Sequence, residues 1–123
     1  MKERKNEILD LSFEFALEII EYSELLESER KYVIARQLLR SGTSIGANVR
    51  EAQSSESRAD FIHKLKIAHK EAIETDYWLL LCESAKSYPS PPIGMKYMIL
   101  SIQKLLNKII SSTKLKKNKN EIY

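Results

Sequence analysis

Backbone breakers are the tightest constraint on this chain. Among 123 residues there are three glycines and three prolines, and the prolines all fall between Pro89 and Pro92. A many-stranded fold needs far more turn residues than this, whereas a few long helices need little else. Two of the glycines, Gly42 and Gly46, lie in a stretch from Leu38 to Ala72 that otherwise reads as helix, hinge, helix. Each would cost up to about 1 kcal/mol against alanine in a helix interior. Their i, i+4 spacing puts both missing side chains on one side, where another helix can come close. Either the helix runs through them or Ser41–Gly46 breaks it into a loop. The apolar period passes through the glycines in phase, which favours continuity.

Periodicity predicts four helices. The first runs from Arg4 to Leu26, with one row of acids (Glu3, Glu7, Asp10, Glu14, Glu18, Glu21) opposite two apolar stripes. Those stripes, Leu9, Phe13, Ala16, Ile20 and Ile8, Phe15, Ile19, Tyr22, Leu26, span about 180°, wider than one packing seam requires. The acidic row reads either as a solvated face or as a partner for a basic one.

Ser28 is the expected N-cap of a second helix over Glu29–Gln53. Its apolar face is Ile34, Leu38, Gly42, Ile45, Val49 and Ala52, and Arg36, Arg40 and Arg50 line the opposite side. Ser57 and Asp60 form a capping box that opens the third helix after a hinge at Ser54–Ser57. Its stripe is Phe61, Leu65, Ala68, Ala72, Thr75, Leu79 and Cys82, and it turns apolar all round from Tyr77 to Leu81. A helix end of that kind must be buried on every side, by its own bundle or another subunit. The prolines then end the run, and a fourth helix over Pro92–Thr113 carries Met98, Ile102, Leu105 and Ile109, a stripe widened by Ile99, Leu106 and Ile110. Short connections between four amphipathic helices imply an all-α, antiparallel up-down-up-down bundle over residues 1–113. The lysine-rich tail over 114–123 is expected to be disordered.

One domain of this size buries a core without covalent staples. A lone Cys82 fits a reducing compartment, and no apolar run approaches about 18 residues, so the expectation is a soluble cytoplasmic chain with no membrane contact. Charge is asymmetric: the first 27 residues carry eight acidic and three basic groups, the last 35 seven basic and one acidic. That layout hints at an anionic partner or a charge-matched assembly.

Catalytic chemistry finds little support. Gly42 and Gly46 lack the Lys-Ser/Thr ending and preceding strand of a phosphate-cradling loop. His63 and His69 point in different directions, and Asp60-x-x-His63 is only half of a di-iron motif. On the core stripe, Cys82 reads as a structural thiol. Arg58-x4-His63 resembles the R-x4–6-H motif of HEPN-type ribonucleases, but the two side chains lie about 140° apart on a helix. No cofactor, metal or small-molecule substrate is expected.

Two segments, Leu39 to Gln53 (LRSGTSIGANVREAQ) and Ala59 to Leu79 (ADFIHKLKIAHKEAIETDYWL), are similar to a known family. It is the four-helix-bundle proteins encoded within intervening sequences of bacterial 23S ribosomal RNA genes. The likeness rests on S-I-x-A-N-V-x-E-A at Ser44–Ala52, F-I-x-x-L-x-I-A at Phe61–Ala68 and E-A-x-E-T-x-Y-W-L at Glu71–Leu79. The family's usual A-E-G after the Asn stands here as Arg50, Glu51, Ala52.

What the resemblance implies is a non-enzymatic homo-oligomer, commonly a ring of five, with no active site to carry over. A related branch is the accessory protein of diversity-generating retroelements, which binds nucleic acid and a reverse transcriptase through a basic surface. By the same likeness Asn48 and Glu51 are the motif's polar pair, read as structural residues that fix the junction of the second and third helices. Arg36, Arg40, Arg50, Lys66, Lys70, Lys114, Lys116 and Lys117 are the candidate contacts to RNA or DNA. The competing reading is that the arginines serve only subunit contacts in a protein-binding ring.

Overall fold

The computed structural model describes residues 6–122, with side chains as far as Lys116. It contains α1 (Glu7–Ser28), α2 (Tyr32–Ala52), α3 (Arg58–Ser84) and α4 (Ile93–Ile122), and no strand among the described residues. Each helix packs against its neighbour in sequence and α4 returns against α1, so the four close an antiparallel ring around one core. The α1–α4 seam is the loosest of the four.

Helix starts follow capping chemistry. The Asn6 side chain accepts from the Leu9 backbone N–H at 3.1 Å and caps α1, while its amide donates to Gln53 Oε1 at 3.2 Å at the far end of α2. The predicted start at Arg4 lies outside the described residues. Ser57 Oγ accepts from the Asp60 N–H at 3.0 Å, and Asp60 Oδ2 accepts from the Glu56 N–H at 3.3 Å. The predicted capping box is therefore present, with its return bond moved one residue upstream of the cap.

The α1–α2 turn differs from expectation. Ser28 is the last residue of α1 rather than the cap of α2, and its hydroxyl donates back to the Leu25 carbonyl at 2.6 Å. The chain reverses at Arg30, which has φ 63°. Its N–H donates to the Glu27 carbonyl at 2.9 Å, and the Lys31 N–H to the Leu26 carbonyl at 2.8 Å. This is a Schellman ending with an arginine where glycine is usual. A left-handed non-glycine residue costs about 1–2 kcal/mol, and glycine's extra freedom in the unfolded chain cancels part of any gain from replacing it. Arg30→Gly is therefore expected to stabilise the protein by about 1 kcal/mol, read as a higher urea midpoint. A lower midpoint would show that Arg30 makes up its backbone cost elsewhere.

Both glycines lie within an unbroken α2. They have different reasons to be there. A Cβ on Gly42 would sit 2.8 Å from Ile19 Cγ1 and 2.9 Å from Ile19 Cγ2, so α1 and α2 touch at this point. On Gly46 it would meet nothing closer than the Ser12 carbonyl oxygen at 3.4 Å.

Of the two stripes on α1, Ile8, Phe15, Ile19, Tyr22 and Leu26 enter the core, whereas Phe13 is 57% exposed and Ile20 is also exposed. On α3 the predicted stripe is buried, except that Ile62 takes the place of Phe61. The α4 stripe is centred on its predicted widening residues, with Met95 added. Met95, Ile99, Ile102, Leu106 and Ile110 form its buried line, and Met98, Leu105 and Ile109 pack at its border. With no Gly or Pro after Gly94, nothing stops that helix, and it continues nine residues beyond Thr113 to Ile122.

Candidate nucleic-acid interface

The arginine row of α2 does not stay together as a free basic stripe. Arg40 reaches across to α3, pairing with Glu71 at 3.3 Å and, more closely, with Glu74. Glu74 Oε2 also accepts from Trp78 Nε1 at 2.9 Å. Beneath this cluster the buried hydroxyls of Ser41 and Thr75 hydrogen-bond at 2.8 Å. The segment Glu71–Leu79 is therefore a clamp on α2. The sequence offers Arg40 either to phosphate or to a subunit contact and does not reveal the clamp. The available signal was the spacing of Glu71, Glu74 and Trp78, which puts all three on one side of a helix.

Arg36 and Arg50 remain exposed and carry no ion pair within the described residues. Arg50 borders a notch of about 150 Å³ between α1 and α2, with Phe13, Thr43 and Gly46. Glu51 pairs with Lys64 at 3.5 Å and so ties the end of α2 to α3. Asn48 does not cross to α3: its amide donates to the Ser44 carbonyl at 2.9 Å, inside its own helix.

The lysines of α3 and α4 are brought together. These helices are in register through Glu83–Lys96 at 3.1 Å and Gln103 Nε2 donating to Asp76 Oδ2 at 3.2 Å. Continued toward the other end of the bundle, that register sets Lys66 against Lys114. Contact with Lys114, and then its charge, lowers the Lys66 pKa. Lys70 and Lys116 are exposed as well, and the Lys117 side chain lies outside the described residues.

The acidic row of α1 faces the α4 side. Glu7 borders a groove of about 310 Å³ with Lys104 and Lys108, over Leu11 and Leu105. Among the described residues no basic group pairs with Glu7, Asp10, Glu14, Glu18 or Glu21. Glu3 lies outside the described residues.

Two apolar patches remain uncovered. One follows the α1–α2 seam, with Phe13, Leu17, Ile20, Tyr32 and Leu39, and the other the α3–α4 seam, with Ile73, Tyr77, Leu80, Ile93, Tyr97 and Leu100. In a closed ring of four helices these seams lie on opposite sides.

Arg58 and His63 are both exposed on the first turns of α3. Cys82 is buried, and burial pushes its thiol pKa up, partly offset by the neighbouring Tyr22 hydroxyl. Burial, and then Cys82, likewise raises the Tyr22 phenol, which donates to the Pro89 carbonyl at 2.6 Å and straps the proline loop to α1. A protonated, enclosed thiol is a poor nucleophile.

A family model described as 23S rRNA-intervening sequence protein matches residues 4–111. The crystal structure of a protein of unknown function from the S23 ribosomal protein family of Bacteroides thetaiotaomicron superposes with a TM-score of 0.79. That protein is 47% identical over 84% of this chain and 97% of its own. No curated protein matches.

Proposed function

Because this chain belongs to the 23S rRNA-intervening sequence protein family, we propose that its function lies in its surfaces: a non-enzymatic bundle that assembles with copies of itself and binds RNA or DNA weakly, without strong sequence preference. The observation that carries the assembly half is the pair of opposite apolar faces. Contiguous exposed apolar residues on a helical bundle mark interaction sites. Two different faces on opposite sides favour head-to-tail contacts, which close into a ring when the rotation per copy permits. Five copies is the closure that the family likeness implies.

The nucleic-acid half is supported by Lys66, Lys70, Lys114 and Lys116, which have no carboxylate partner among the described residues. Such groups bind phosphates by releasing counterions, so affinity falls steeply as salt rises. Light scattering on the purified protein should give a multiple of 14.3 kDa at micromolar concentration, and a labelled ribosomal RNA fragment should bind at low salt and dissociate as salt is added. A monomer overturns the assembly half. An assembly that binds no RNA at low salt leaves a purely protein-binding ring.

A further inference from the structure

We propose that the phosphate backbone binds at the end of the bundle where Lys66 and Lys114 come together, beyond the apolar part of the α3–α4 seam, and not along the arginine row of α2. This inference rests on the nucleic-acid reading above and places its contact surface.

The α2 row is poorly suited to the task. Arg40 is held by Glu71 and Glu74, and a phosphate would have to displace two carboxylates to reach it. Arg36 Nε is turned onto the Tyr32 carbonyl of its own helix at 3.4 Å. Arg50 also borders a groove lined by Glu51, Glu56 and Asp60, carboxylates that disfavour a phosphate there.

This end of α3 and α4 has the opposite character. From Ile93 to Lys116, α4 contains no acidic residue, and neither does α3 from Phe61 to Lys70. The register fixed by Glu83–Lys96 and Asp76–Gln103 brings Lys66 of α3 level with Lys114 of α4, and neither has a carboxylate within ion-pair reach among the described residues. Two cations held together by the backbone repel in the free protein. An anion placed between them relieves that repulsion and accepts hydrogen bonds from both. Lys70 stands one turn further along the same side of α3, a rise of about 6 Å. Asn107 and Ser111 are exposed on α4 nearby and add neutral donors.

The test compares the unmodified protein with Lys66→Gln/Lys114→Gln and with Arg36→Gln/Arg50→Gln, using a short labelled RNA duplex across a salt series. Circular dichroism and light scattering confirm that fold and assembly are retained, and Lys66→Arg serves as the charge-keeping control. The lysine variant should bind about ten-fold more weakly at low salt, with the log–log salt slope reduced by about 2. The arginine variant should stay within about two-fold, and Lys66→Arg should bind like the parent. Equal loss in the arginine variant, or retained affinity in the lysine variant, overturns the location while nucleic-acid binding survives. A parent protein that does not bind at low salt overturns both.

Discussion

Gly42→Ala is expected to destabilise the bundle by about 1–2 kcal/mol, against the usual sense of that substitution. In an open helix interior alanine would gain up to about 1 kcal/mol over glycine. Here the new methyl would lie 2.8 and 2.9 Å from the two γ carbons of Ile19. Those carbons sit on a branched Cβ with essentially one comfortable rotamer in a helix, and Ile19 is fully buried. Neither can swing aside, so α1 and α2 must part. Overpacking of this kind costs about 1–3 kcal/mol and outweighs the propensity gain.

Gly46→Ala is the control with opposite sign. Its methyl would make an ordinary 3.4 Å contact with the Ser12 carbonyl oxygen, leaving the propensity gain intact. Urea midpoints of both variants decide the matter; if both rise, the close approach is not a constraint. In an Ile19→Ala background Gly42→Ala should become stabilising, because the obstructing γ carbons are gone.

The second large effect concerns the uncovered faces. Phe13→Gln with Leu17→Gln should abolish the proposed assembly while leaving the helices intact, since these side chains are 57% and 50% exposed in the single chain. Large apolar residues at the centre of an interface contribute about 2 kcal/mol each. Together they correspond to about a thousand-fold in dissociation constant. Tyr97→Gln with Leu100→Gln on the opposite face should do the same in a head-to-tail assembly. Mixing the two variants should then give a heterodimer through the one pair of faces left intact. In a two-fold contact through a single face, only one of the variants would dissociate. Size measurement of each variant and of the mixture separates these arrangements, and two variants that assemble like the parent sink the idea.

Number and order of the helices were legible because apolar residues recur at helical spacing and breakers are rare. Legibility ended where a residue's role depends on what lies across a seam. Ser28 looks like a cap because serine before an acidic residue often is one. Yet the reversal is made by Arg30 in a left-handed conformation that nothing in its side chain advertises. Arg40 shares a helical face with Arg36 and Arg50, but the carboxylates that hold it are 31 and 34 residues away. The centre of the α4 stripe was not legible because Met95, Met98, Ile99, Ile102, Leu105 and Leu106 are all apolar, and packing alone selects among them. The Lys66–Lys114 contact needed the register of two helices that the sequence leaves unspecified.

The loose closure between α1 and α4 has a kinetic consequence. Three of the four seams join helices adjacent along the chain, each across a short connection, so little loop entropy opposes them. Only α1 against α4 must bring together segments at opposite ends of the sequence. A chain so rich in local contacts should collapse quickly, with that closure among its last events. On the return path the same seam should part first, releasing the acidic helix from its lysine-bearing neighbour while the α2–α3 clamp still holds.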